Sequence, residues 1–115
     1  MKLASSFKVA FRGIGMAIVS QSNLKIHIVA AAVVICAGFY LSISNIEWIV
    51  LLLTIGLVIS LELVNTAIEE LVNLIAPEMN KKAGRIKDIA AGAVLVAAIV
   101  AVIVAFMIFW KYLVA

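Results

Sequence analysis

The sequence has little that a water-soluble domain needs. Of its 115 residues 13% are charged and 67% hydrophobic, whereas soluble domains run nearer about 25% charged and about 45–50% apolar. A chain this small with so little polar surface cannot cover itself in water. With a mean hydropathy of +1.29, it reads as an all-α integral membrane protein. Cysteine is almost absent: Cys36 stands alone, which excludes a disulfide scaffold and any cysteine-based metal site. Lying in an apolar run, it reads as an inert buried thiol. The one proline, Pro77, leaves long stretches without a helix breaker. Acidic residues are few, six against nine Lys and Arg for a net charge of +3. In a membrane chain that excess speaks for orientation and anionic headgroups, and against nucleic acid. No repeat, low-complexity tract or linker interrupts the chain, which reads as a single domain over residues 1–115.

What is present falls into three apolar stretches, residues 26–43, 46–61 and 89–110, each near the length of about twenty residues that crosses a hydrocarbon core. The helical pattern of the second runs on to Ile75, just before Ala76 and Pro77 stop it. Transmembrane helices are therefore expected over about 24–43, 45–75 and 82–112. The small residues Ala90, Ala91, Gly92 and Ala93 suit close helix approach in lipid. Before Lys25 the pattern changes. Phe7, Phe11, Ile14 and Ile18 recur at helical spacing with Lys8 and Arg12 beside them, which predicts an amphipathic surface helix over about 4–21. A cleaved signal peptide is the competing reading; Lys8 and Arg12 interrupt its apolar region and no A-x-A site follows.

Basic residues set the orientation. Lys2, Lys8, Arg12 and Lys25 precede the first span, and Lys81, Lys82, Arg85 and Lys87 lie between the second and third, while the turn 42–47 carries neither Lys nor Arg. The N-terminus is expected on the cytoplasmic side and the C-terminus outside. Ser44 and Glu47 fit a capping box that starts the second span. His27, Trp48, Trp110 and Tyr112 read as interfacial residues.

The informative stretch is ELVNTAIEELVN, residues 62–73. Glu62, Asn65, Glu69 and Asn73 share one face of a helix, and Glu70 points to a neighbouring sector. Measured from the outer end near Trp48, Glu62 sits roughly 21 Å deep and Glu69 roughly 31 Å, so only Glu62 lies within the hydrocarbon. A charged acid near mid-bilayer costs about 2.5–3.5 kcal/mol, so Glu62 is expected to face protein, in a position suited to a base. The bland alternative is that the stripe glues helices together. A proton path or cation site also stays open. Just beyond, Lys87 and Asp88 bring a compact cation and a carboxylate to the same inner interface, suited to phosphate and to Mg²⁺ or a hydroxyl. Lys81 and Lys82 read as simple positive-inside anchors. No Walker A or protein-kinase signature is present.

E-x-x-N-[ST]-A-I-E, here Glu62 to Glu69, together with GRIKDIAAGAVL, residues 84–95, resembles the small prokaryotic diacylglycerol kinase and undecaprenol kinase family. The likeness covers residues from about 7 to 109, and SNLKIH (22–27) with NIEW (45–48) is more similar to its undecaprenol kinase branch. The resemblance implies a homotrimer of subunits with one surface helix and three membrane helices, its active sites shared at the cytoplasmic face of the cell membrane. It implies transfer of the terminal phosphate of ATP, with Mg²⁺, to a membrane lipid alcohol: undecaprenol, or alternatively diacylglycerol to give phosphatidic acid. By position it makes Glu62 the general base, Glu69 a metal ligand, Lys87 and Asp88 nucleotide-binding residues, Glu78, Met79 and Asn80 further nucleotide contacts, and Asn65 a supporting residue. Two positions depart from the family. Gln21 stands where a second metal-binding Glu is common, able to coordinate through its carbonyl but without charge, and Asn73 stands where an Asp is usual. These departures keep a catalytically silent nucleotide- or lipid-binding homologue in view. At Val9 and Ala91, polar in some members, no polar side chain remains.

Overall fold

Helix breakers are so sparse that nearly every residue becomes helical. The computed structural model describes residues 2–78 and 80–114, and it consists of α1 (Leu3–Ser20), α2 (Ser22–Leu41), α3 (Asn45–Ile75) and α4 (Lys81–Val114). All four are long and apolar enough to cross a membrane by length and composition, α1 included.

Each boundary has a local cause. Gln21 takes an extended backbone (φ −115, ψ 112) and splits α1 from α2. Ser42 adopts a left-handed conformation (φ 53), and the N–H groups of Ser42 and Ile43 return to the carbonyls of Phe39 and Gly38, closing α2. The capping box forms: Ser44 Oγ accepts the Glu47 N–H at 3.2 Å, and Glu47 Oε1 accepts the Ser44 N–H at 3.0 Å. Pro77 ends α3 one residue after Ala76, and Asn80 Oδ1 accepts the Ala83 N–H at 2.8 Å to cap α4.

α3 and α4 form one long antiparallel hairpin whose register holds from end to end. Near its turn, Lys87 meets Asn73, each seven residues from Asn80. At its far end Tyr112 donates a hydrogen bond to Glu47, these lying 32 and 33 residues from Asn80. Lys111 Nζ sits 3.0 Å from the same carboxylate, so Glu47 ties the two helices together as well as capping one. Inside this clasp Ile43, Leu51 and Ile108 form the core. α2 packs on α3 through Gly38, which lies under the Trp48 ring, and Phe39, whose ring is 4.8 Å from it. α1 is held more loosely, burying only Ala17, while Leu24 is fully buried beyond the Gln21 break.

The molecule measures 54 × 39 × 20 Å. Its long dimension is close to the roughly 51 Å expected of a 34-residue helix, and its thickness equals about two helix diameters. Such a thin slab leaves large apolar side chains uncovered, among them Phe39, Leu53 and Val102. Water would not tolerate that surface; lipid would. Cys36 is part of it: the thiol is exposed on α2, because α2 packs through its Gly38 side. The small residues Ala91 and Ala93 also face outward, and a Cβ on Gly92 would touch nothing within 4 Å. Gly92 makes no close helix approach among the described residues of this chain.

Candidate active site

α3 presents its polar residues in a descending series, and each finds a different partner. Glu62 is the deepest and is 3% exposed. His27 Nε2 on α2 lies 3.1 Å from its Oε1. An isolated carboxylate this buried is costly, and an imidazole within hydrogen-bond reach offsets part of that cost. The neighbouring turn is satisfied internally, because the buried Thr66 hydroxyl donates to the Glu62 carbonyl at 2.9 Å.

One turn further along, Asn65 Nδ2 donates to Glu69 Oε1 at 3.3 Å. Asn65 Oδ1 is buried and has no partner. A buried acceptor left unpaired costs about 1–3 kcal/mol, and here it stands beside a carboxylate. The next turn brings Asn73, whose Oδ1 accepts a hydrogen bond from Lys87 Nζ across the α3–α4 hairpin. Lys87 is thereby aimed at the end of the acidic stripe. Asp88 follows it, exposed on α4. Glu70 faces elsewhere, lining a groove between α3 and α1 with Thr66 and Gly13.

The remaining expected site residues are less gathered. Glu78 is exposed at the bend after Pro77. Asn80 spends its carbonyl oxygen on the α4 cap, which leaves its amide for another contact. Met79 lies outside the described residues. Gln21 is half-buried at the α1–α2 break; its backbone carbonyl accepts the Lys25 N–H at 3.3 Å, and its side chain caps neither helix. No hydrogen bond joins Gln21 to Glu69 among the described residues.

Among the described residues no group of three or more His, Cys, Asp or Glu could hold a metal. That is no obstacle to Mg²⁺, which usually takes one or two carboxylates and fills its sphere with water and substrate phosphates. The half-buried Glu69 carboxylate and the orphaned Asn65 Oδ1 are hard oxygen donors that fit it.

Two contacts escaped the sequence reading: His27 was expected only as an interfacial residue, and Asn73 was placed on the polar stripe of α3 without its partner Lys87. The signal for His27 was available: it lies 17 residues before Ser44 and Glu62 lies 18 after. Two antiparallel helices joined by a short turn place residues equidistant from it at one depth.

Four helices apolar and long enough to span a membrane, a carboxylate buried between two of them, and a lysine with further oxygen donors toward one end of α3 are the arrangement of an integral membrane protein with a polar site. The chain belongs to the prokaryotic diacylglycerol kinase family, whose profile matches residues 8–109. It is 43% identical over 104 residues to an undecaprenol kinase of Bacillus subtilis, covering 90% of this chain and 85% of that protein. Over 103 residues it is 45% identical to a diacylglycerol kinase of Synechocystis, covering 89% of this chain and 59% of that one. A diacylglycerol kinase of Escherichia coli K12 is 30% identical over 103 residues, or 90% and 84% of the two chains.

Proposed function

We propose that the protein is a multi-pass membrane kinase that transfers the terminal phosphate of ATP to the hydroxyl of undecaprenol, giving undecaprenyl phosphate. The observation that carries the chemistry is the ordered stripe on α3: buried Glu62, then the Asn65–Glu69 pair, then Lys87 held by Asn73. Similarity to the Bacillus subtilis undecaprenol kinase over most of both chains supports the acceptor.

A lipid hydroxyl cannot leave the headgroup zone, so the enzyme must bring base and phosphate to it. Glu62 takes the hydroxyl proton as the acceptor oxygen bonds to the terminal phosphorus and the bond to the ADP oxygen breaks. Lys87 supplies a point charge for the phosphates, and Asp88, Glu78 and Asn80 would contact the nucleotide. Glu69 with the carbonyls of Asn65 and Gln21 would hold Mg²⁺, which neutralises phosphate charge when bound. Most of the rate then comes from alignment and charge neutralisation, with little covalent work left for the protein. A cavity of about 300 Å³ between α2, α3 and α4, with His27 on its rim and otherwise apolar except for Thr54, supports an apolar acceptor tail alongside.

This reading includes a homotrimer with shared sites, α1 lying in the cytoplasmic interface, the N-terminus inside, the C-terminus outside and the site at the inner face of the cell membrane. The exposed apolar slab and the basic residues of α1 and of the first turns of α4 support it. Reconstituted protein incubated with labelled ATP, Mg²⁺ and either undecaprenol or diacylglycerol should label undecaprenol preferentially. Preferential labelling of diacylglycerol would reassign the acceptor, in line with the Synechocystis and Escherichia coli relatives. Labelling of neither lipid would favour the silent homologue that Gln21 and Asn73 suggest.

A further inference from the structure

Glu62 can act as a base only if one of its oxygens faces the acceptor, and a carboxylate on a flexible side chain does not hold such an orientation by itself. Its close polar neighbour is the imidazole of His27, on a different helix and 3.1 Å from Oε1. The two stand in unequal surroundings: the Glu62 side chain is 4% exposed and that of His27 25%. Around the imidazole the lining is apolar, from Ile26, Ala30, Val58 and Ile59, with Thr54 further along. Thr54 gives its hydroxyl to the Val50 carbonyl at 2.7 Å, so it is not a competing partner for the pair.

We propose that His27 is the positioning residue for the base: its Nε2–H holds Oε1 of Glu62 and turns Oε2 toward the acceptor hydroxyl. The inference rests on the assignment of Glu62 as general base and adds the group that fixes its geometry. It also gives the chain's single histidine a role in turnover. α2 thereby contributes to the site through the register of the α2–α3 turn. Orientation is where such a contact matters, because displacing a catalytic group by about 1 Å costs on the order of 10²-fold in rate.

Two measurements on the full-length protein reconstituted in lipid test the inference. In the first, His27→Ala and His27→Gln are compared with the unmodified chain on whichever lipid alcohol it phosphorylates. His27→Ala should lower kcat by roughly 10–100-fold with KM for ATP within about threefold. His27→Gln, whose amide N–H can still reach Oε1, should recover most of that loss. An unchanged kcat in His27→Ala, or a parallel loss of kcat, ATP affinity and thermal stability that Gln does not rescue, would overturn the inference. In the second, ¹⁵N-histidine labelling gives one imidazole to follow by NMR, with no need for turnover. The Nε2 resonance should move in Glu62→Gln and stay in place in Glu69→Gln. No movement in Glu62→Gln refutes the contact even if neither lipid is phosphorylated, the result that would separately sink the kinase reading.

Discussion

The Lys87 ammonium reaches across the turn end of the α3–α4 hairpin and donates a hydrogen bond to Asn73. A neutral partner directs the lysine without cancelling its charge, the property that the proposed phosphate contact needs. An aspartate there would direct it equally but compete for the same charge.

Asn73→Leu keeps the size of the side chain and removes the acceptor. A hydrogen bond of this kind is worth about 0.5–1.5 kcal/mol, so KM for ATP should rise by about two- to tenfold with kcat little changed. Lys87→Met should raise it further. The double variant should be no worse than Lys87→Met alone, because the two residues act as one unit. Additive effects in steady-state kinetics would show that Asn73 acts by some other route.

The proposed reading divides labour between Glu62 and Glu69. Glu62→Gln should abolish phosphate transfer while leaving Mg²⁺-dependent nucleotide binding nearly intact. Glu69→Gln should weaken that binding and leave a hydrogen bond to Asn65 available. Titration of a fluorescent ATP analogue in the presence and absence of Mg²⁺ separates the two outcomes; equal loss of binding in both variants would contradict the division.

Much of this arrangement was legible in the sequence, for a physical reason. In a chain with so few polar residues, each charge is placed either by topology or by chemistry, and depth arithmetic tells one from the other. Glu62 stood out because its carboxylate lies inside the apolar length of α3, and Ser44 with Glu47 because caps are local. Partners across helices were harder to read. His27 and Glu62 meet only through the register of the α2–α3 turn, and Glu47 meets Lys111 and Tyr112 only because the α3–α4 hairpin runs without slippage. Cys36 was misplaced because a uniformly apolar run does not reveal which face turns to lipid.

Gln21 sits at the α1–α2 break with a side chain that serves neither helix as a cap. Replacing it with Glu adds the carboxylate that the family resemblance leads one to expect and breaks no side-chain hydrogen bond among the described residues. If this position contributes to the metal site, Gln21→Glu should lower the Mg²⁺ concentration needed for half-maximal activity by several-fold and leave thermal stability unchanged. An unaltered Mg²⁺ dependence would remove position 21 from the metal site.

Gly38 shows how packing outweighs propensity in α2. A Cβ there would lie 2.7 Å from Cη2 and 2.9 Å from Cζ2 of Trp48, and 3.1 Å from Cδ1 of Ile43. The indole already sits in a tilted pair with the Phe39 ring, 4.8 Å between centroids, so it cannot yield without disturbing the α2–α3 contact. Forcing a methyl into such a site costs typically about 1–3 kcal/mol, whereas glycine to alanine in a helix gains about 1 kcal/mol. Gly38→Ala should therefore lower the thermal midpoint of the detergent-solubilised protein. The sign should reverse when the obstacle is removed: in a Trp48→Leu background the added methyl has room, the helix gain remains, and Gly38→Ala should be neutral or stabilising. A Gly38→Ala substitution that stabilises the unmodified chain would mean that α2 does not approach Trp48 this closely.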